Sequence, residues 1–176
     1  MIRLSYNIEL DNPRDHSSYE EFAACWGLIT APKTSFVSFG GKNPCSLQFD
    51  TPSLDQITRG VLGTYKGRQI TIFEKEPSIR TLIHEYAHHL QVLNCADANA
   101  GWYGGFENEK QDELFLRYVQ KLPNWAYART SPSEMAAEAF AFCHGCSSGY
   151  RMPEGFLSSW FMFFLEEEHF KYTFGE

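Results

Sequence analysis

Long apolar runs are missing from this 176-residue sequence: the most membrane-like stretch, Gly155 to Leu165, is broken by serines and too short to span a bilayer. Met1 to Leu10 has no apolar core and no cleavage signature, so nothing there reads as a secretory signal. Basic runs are missing too. Fifteen scattered Lys and Arg stand against 22 Asp and Glu, a net charge of −7, which leaves no phosphate-tracking stripe and argues against a nucleic-acid partner. The five cysteines are odd in number and lack disulfide-framework spacing, as expected of a reduced, cytoplasmic chain, with signal-independent export left open. No internal repeat and no linker interrupts residues 1–176, so the expectation is one domain, large enough to fold on its own core.

What is present reads as α+β: a small twisted sheet followed by a helical C-terminal half. Ser17-Ser18 precedes a short helix over Tyr19 to Cys25. Pro32 to Pro52 is turn-rich, with strand-like pieces at Phe36–Phe39 and Ser46–Phe49. Val61–Tyr65, Lys66-Gly67 and Arg68–Glu74 suggest a hairpin, its second arm placed as an exposed edge strand just before the next helix. In that helix, entered through Pro77-Ser78, the residues Ile79, Leu82, Ile83, Tyr86, Ala87, Leu90 and Leu93 recur at the 3.6-residue period. A loop follows over Asn94 to Gly105. Further helices are expected over Gln111–Lys121, from Ser131 to Cys143, and over Phe156–His169, where clustered aromatics suggest core packing.

His84-Glu85-Tyr86-Ala87-His88 lies in the middle of the strongest helix. At roughly 100° per residue, His84 and His88 fall one turn apart on the side opposite the apolar stripe. That spacing lets two imidazoles converge on one tetrahedral Zn²⁺ at about 2.0–2.1 Å. Glu85 leaves the helix beside them and can take a proton from water without occupying a ligand position. The plainer reading is a solvated polar helix face, but this chain's His and Glu frequencies give only about 0.02 chance matches to H-E-x-x-H. His89 points about 100° away and reads as a surface or supporting histidine.

Two histidines leave a catalytic zinc one protein ligand short, with the fourth position kept for water. No histidine occurs from Leu90 to Asn99, so the donor must come from a later segment. Glu134 and Glu138 stand i, i+4 on the helix after Ser131, on the face away from Met135, Ala139, Phe140 and Cys143. One can bind metal while the other orients a ligating histidine. Spacing does not choose between them, and Ser131-x-x-Glu134 also spells a capping box.

Thr81-Leu82-Ile83-His84-Glu85-Tyr86-Ala87-His88-His89-Leu90-Gln91 resembles the zinc helix of the gluzincin metallopeptidases. Tyr127-Ala128-Arg129-Thr130-Ser131-Pro132-Ser133-Glu134-Met135-Ala136-Ala137-Glu138-Ala139-Phe140-Ala141 resembles their third-ligand helix. The likeness is nearest to the anthrax lethal factor catalytic domain and the Pro-Pro endopeptidases, in which a tyrosine precedes the ligand glutamate by the seven positions that separate Tyr127 from Glu134 here. The E-x-x-A-x-x-F-A rhythm is also similar to the ImmA/IrrE-type peptidases of phage and mobile elements. The resemblance spans about Gly60 to Cys143 and leaves 1–59 as a variable part and 156–170 as a packing helix. It implies a minimal zincin-like fold, Glu134 as third zinc ligand, Glu138 as its supporting carboxylate and Tyr127 as a phenol donor to the oxyanion. A zinc endopeptidase acting on a peptide or protein substrate follows, with oligomeric state open. A chain this short has little room for the accessory regions of larger relatives, so their substrate choice does not transfer.

Other features compete. Cys143-His144-Gly145-Cys146 suggests a zinc knuckle, but Cys25, Cys45 and Cys95 show no paired spacing to complete one. Ala24-Cys25-Trp26 lacks the flanking Gly-Ser and the downstream His-Asn context of a thiol protease. Trp160 to Leu165 is read as core, with a partner- or membrane-binding role as the other option. The alternative to an enzyme is a zinc-binding regulatory or partner-recruiting protein, although such a protein has no need of Glu85.

Overall fold

Strands dominate the first part of the chain. β1 (Asn7–Leu10), β2 (Ser35–Phe39) and β3 (Lys42–Phe49) precede a short helix α1 (Leu54–Thr58), and β4 (Gly63–Lys66) and β5 (Gln69–Ile72) follow. The computed structural model describes residues 7–10, 35–39, 42–73, 79–93, 109–143 and 149–157. Together they make a mixed α/β protein with two compact units, residues 1–86 and 87–176.

In the first unit the strands form one sheet in the order β1-β2-β3-β5-β4. β1 runs parallel to β2, β2 antiparallel to β3, β3 parallel to β5, and β5 antiparallel to β4. Pairing of β2 with β3 slips between Val37 and Phe39, where Pro44, which has no N–H to give, precedes Cys45 in the partner strand. The hairpin forms, with its turn one residue later than expected. Gly67 and Arg68, with φ of 58° and 61°, both take the left-handed conformation that a tight two-residue hairpin loop needs. Period-2 burial holds in β5, where Ile70 and Ile72 are buried and Gln69 and Thr71 are partly covered. These isoleucines share the core with Cys45, Leu47 and Tyr65, and Leu82, Ile83 and Tyr86 are likewise fully buried.

Two features of this unit depart from the sequence reading. Among the described residues the strand that follows the turn is not an edge: β5 lies between β3 and β4, and β4 and β1 are the outer strands. Alternation reports one covered face, not a strand's rank in the sheet, and the parallel pairing with β3 pushes β4 outward. α1 carries no apolar stripe, since Leu54 and Ile57 are exposed, and periodicity does not reveal it. It is held by a capping box in which Ser53 Oγ accepts Gln56 N–H and Gln56 Oε1 accepts Ser53 N–H.

Helix α2 (Ile79–Leu93) runs through residue 86 without a break. Every residue from Thr81 to Gln91 is buried, so the polar side expected to be wet is covered as well. The second unit continues with α3 (Glu109–Val119), a 3-10 turn at Tyr127–Arg129, α4 (Pro132–Cys143) and α5 (Glu154–Leu157). Arg129 Nη1 donates to the carbonyls of Val119 and Leu122 at 2.6 and 3.1 Å, closing the C-terminal end of α3 and anchoring the 3-10 turn. α4 is buried on all sides from Ser133 to Ala141, so Glu134 and Glu138 do not sit on an exposed face. Ala136, Ala137, Ala139 and Ala141 supply the small side chains that let neighbours close in around it. Phe156 is fully buried and packs edge-on against Tyr118 at 6.1 Å.

The expected helix at 19–25, the entry at Pro77-Ser78, the loop at 94–105, His144 to Cys146 and the aromatic stretch 160–165 lie outside the described residues. No helix among the described residues is long and apolar enough to cross a membrane.

Candidate metal centre

Burying two histidines and two glutamates within two helices costs free energy unless each polar group finds a partner. His84 and Glu85 are 7% exposed, His88 4% and Glu134 7%. A solvated helix face is therefore excluded for the H-E-x-x-H segment. His84, His88 and Glu134 instead come together, each offering one ligand atom, with these atoms all within 4.8 Å of one another. Of the two glutamates that spacing left open, Glu134 is the one grouped with the histidines, its Oε2 3.3 Å from His88 Nε2. Two imidazole nitrogens and one carboxylate are the donor set and number that suit a catalytic zinc.

Glu134 also sits at the start of α4, where Ser131 Oγ accepts its backbone N–H at 3.1 Å. Capping uses the amide, which leaves the carboxylate to the histidine. Pro132 takes the first helical position, where its missing N–H is not needed.

Behind His88 the contacts are dense. Its Nδ1 lies 2.9 Å from Gln91 Oε1 and 3.3 Å from Ser133 Oγ. Gln91 in turn receives a hydrogen bond from Ser133 Oγ at 2.8 Å and donates to the Ser133 carbonyl at 3.1 Å. Glu138, expected to orient a ligating histidine, accepts a 2.6 Å hydrogen bond from the Tyr150 hydroxyl. That hydroxyl also accepts the Ala128 N–H at 3.3 Å, so Tyr150 ties α4 to the 3-10 turn carrying Tyr127. Trp125 braces the Tyr150 ring edge-on at 5.4 Å. Tyr127 itself is half-exposed, at 52%. His89 is 2% exposed, so it is an interior histidine and not a surface one.

Glu85 is approached by the outer strand. A Cβ placed on Gly63 of β4 would stand 2.8 Å from Thr81 Cγ2 and 3.2 Å from Glu85 Cγ. Glycine is what lets β4 ride this close to α2 beside the glutamate.

Gln91, Ser133, Tyr150 and Gly63 escape the sequence reading. Gln91 has a local signal, since i, i+3 from His88 places it on the same helix face. Ser133 and Tyr150 have none, because their partners arrive from distant segments.

No family model, no curated protein and no solved structure matches the chain.

Proposed function

We propose that this protein is a zinc-dependent endopeptidase of the gluzincin type on a minimal zincin-like fold. The observation that carries the proposal is the buried convergence of His84, His88 and Glu134, with Glu85 on the same helix next to the first ligand.

His84, His88 and Glu134 would hold Zn²⁺, which would supply Lewis acidity toward a water. Glu85 accepts a proton from the attacking water as it adds to a peptide carbonyl, and returns that proton to the departing amine. Tyr127, half-exposed on its turn, offers a phenol hydrogen to the developing oxyanion. Glu138 holds Tyr150, and Tyr150 holds the backbone of that turn. An extended substrate adds its backbone alongside β4, an outer strand of the sheet.

Metal analysis and cleavage of a peptide library test this reading together. Equimolar zinc is expected in both the natural chain and Glu85→Gln, while hydrolysis in the variant falls at least about 100-fold. Cleavage that survives in Glu85→Gln, or that is indifferent to a chelator, overturns the assignment. Full zinc with no cleavage of any peptide supports a regulatory zinc protein instead.

A further inference from the structure

A carbonyl oxygen can only accept a hydrogen bond, and that restriction passes from α4 to the metal cluster through two side chains. The Ser133 carbonyl takes its hydrogen bond from the Gln91 side-chain amide, so Gln91 turns its NH₂ toward α4. Its Oε1 is then the atom 2.9 Å from His88 Nδ1. The reversed amide would set two acceptor oxygens against each other. Ser133 Oγ gives its own hydrogen to that Oε1 and keeps lone pairs turned toward Nδ1 at 3.3 Å. Two acceptors face Nδ1 while the Glu134 carboxylate alone faces Nε2, at 3.3 Å, so a single ring hydrogen goes to Nδ1. Gln91 and Ser133 are each 1% exposed, so bulk water does not offer an alternative partner.

We infer that Gln91 and Ser133 fix His88 as the Nδ1–H tautomer, which leaves the Nε2 lone pair facing Glu134 for a metal ion. This rests on the metal reading above and assigns Gln91 as a positioning residue for it. The hydrogen bond that one ring nitrogen makes decides what the other can do, and a lone pair held in place lowers the cost of gripping a cation. The direction of the whole chain of hydrogen bonds is set by a backbone carbonyl. Ser133→Ala therefore removes one reinforcing bond but leaves the direction intact.

Long-range ¹H–¹⁵N NMR on the metal-free protein at alkaline pH reads the tautomer directly, with His88→Gln identifying the resonance. The expected result is hydrogen on Nδ1 in the natural chain and in Ser133→Ala, and loss of that preference in Gln91→Leu. In chelator competition, Gln91→Leu is expected to weaken zinc binding by roughly 10–100-fold, with a smaller loss for Ser133→Ala. Hydrogen on Nε2 of the natural metal-free chain, or an affinity in folded Gln91→Leu within about 2-fold of it, overturns the inference. The tautomer is read without metal and in the natural chain first. A chain that takes up no zinc therefore sinks the metal assignment separately from the tautomer lock.

Discussion

The Glu134 amide is held by Ser131 Oγ while the Glu134 carboxylate meets His88. Local spacing made the histidine pair and Glu85 legible, because i, i+4 neighbours on a helix share a face whatever surrounds them. Gln91 and Ser133 were not legible as a unit, since 42 positions separate them and only the packed helices bring them together. Cys45 shows the same limit. Nothing in its neighbours marks it as interior, yet it is 1% exposed and burial pushes its thiol up to about 12 from 9.0. Tyr65, also displaced upward chiefly by burial, lies in the same core. Both groups are raised in the folded state, so their protonated forms favour folding below about pH 9, and that contribution is lost as pH climbs toward 12. Urea midpoints are expected to fall across this alkaline window, each proton adding a slope of at most about 1.4 kcal/mol per pH unit. Cys45→Ser should flatten the fall, and an unchanged slope would show that the thiol does not titrate there.

At the scale of elements, α2 and α4 were found by their period, whereas α1 was not. α2 and α4 each have a side rich in His, Glu, Gln and Ser that periodicity assigns to water. These side chains are instead covered, with hydrogen bonds among themselves and to backbone in place of solvent. Strand existence was legible for β2 to β5 but not for β1, and strand order was not, because the parallel partnership of β3 and β5 leaves no mark in either segment. Gly63 carries the consequence for β4. Gly63→Ala puts a methyl group against Thr81 and Glu85, and either the strand or the helix must give. The expected cost is about 1–3 kcal/mol in chemical denaturation, with a drop in kcat and unchanged zinc content. A variant as stable and as active as the natural chain would show that β4 does not constrain Glu85.

For the molecule as a whole, a bound metal would add to the stability of the folded state alone. At free zinc 1,000-fold above Kd the gain is about 4 kcal/mol, so chelation should lower Tm by roughly 10 °C. A thermal midpoint indifferent to chelator would remove the reason for placing an ion among His84, His88 and Glu134. The expectation of one domain came from the lack of any linker. The helix over Ile79–Leu93 runs unbroken across residue 86. That helix has no wet flank between Thr81 and Gln91 from which its backbone hydrogen bonds can be picked apart singly. Deuterium uptake along this stretch should therefore be slow, a clock that runs on collective opening rather than on the loss of single hydrogen bonds.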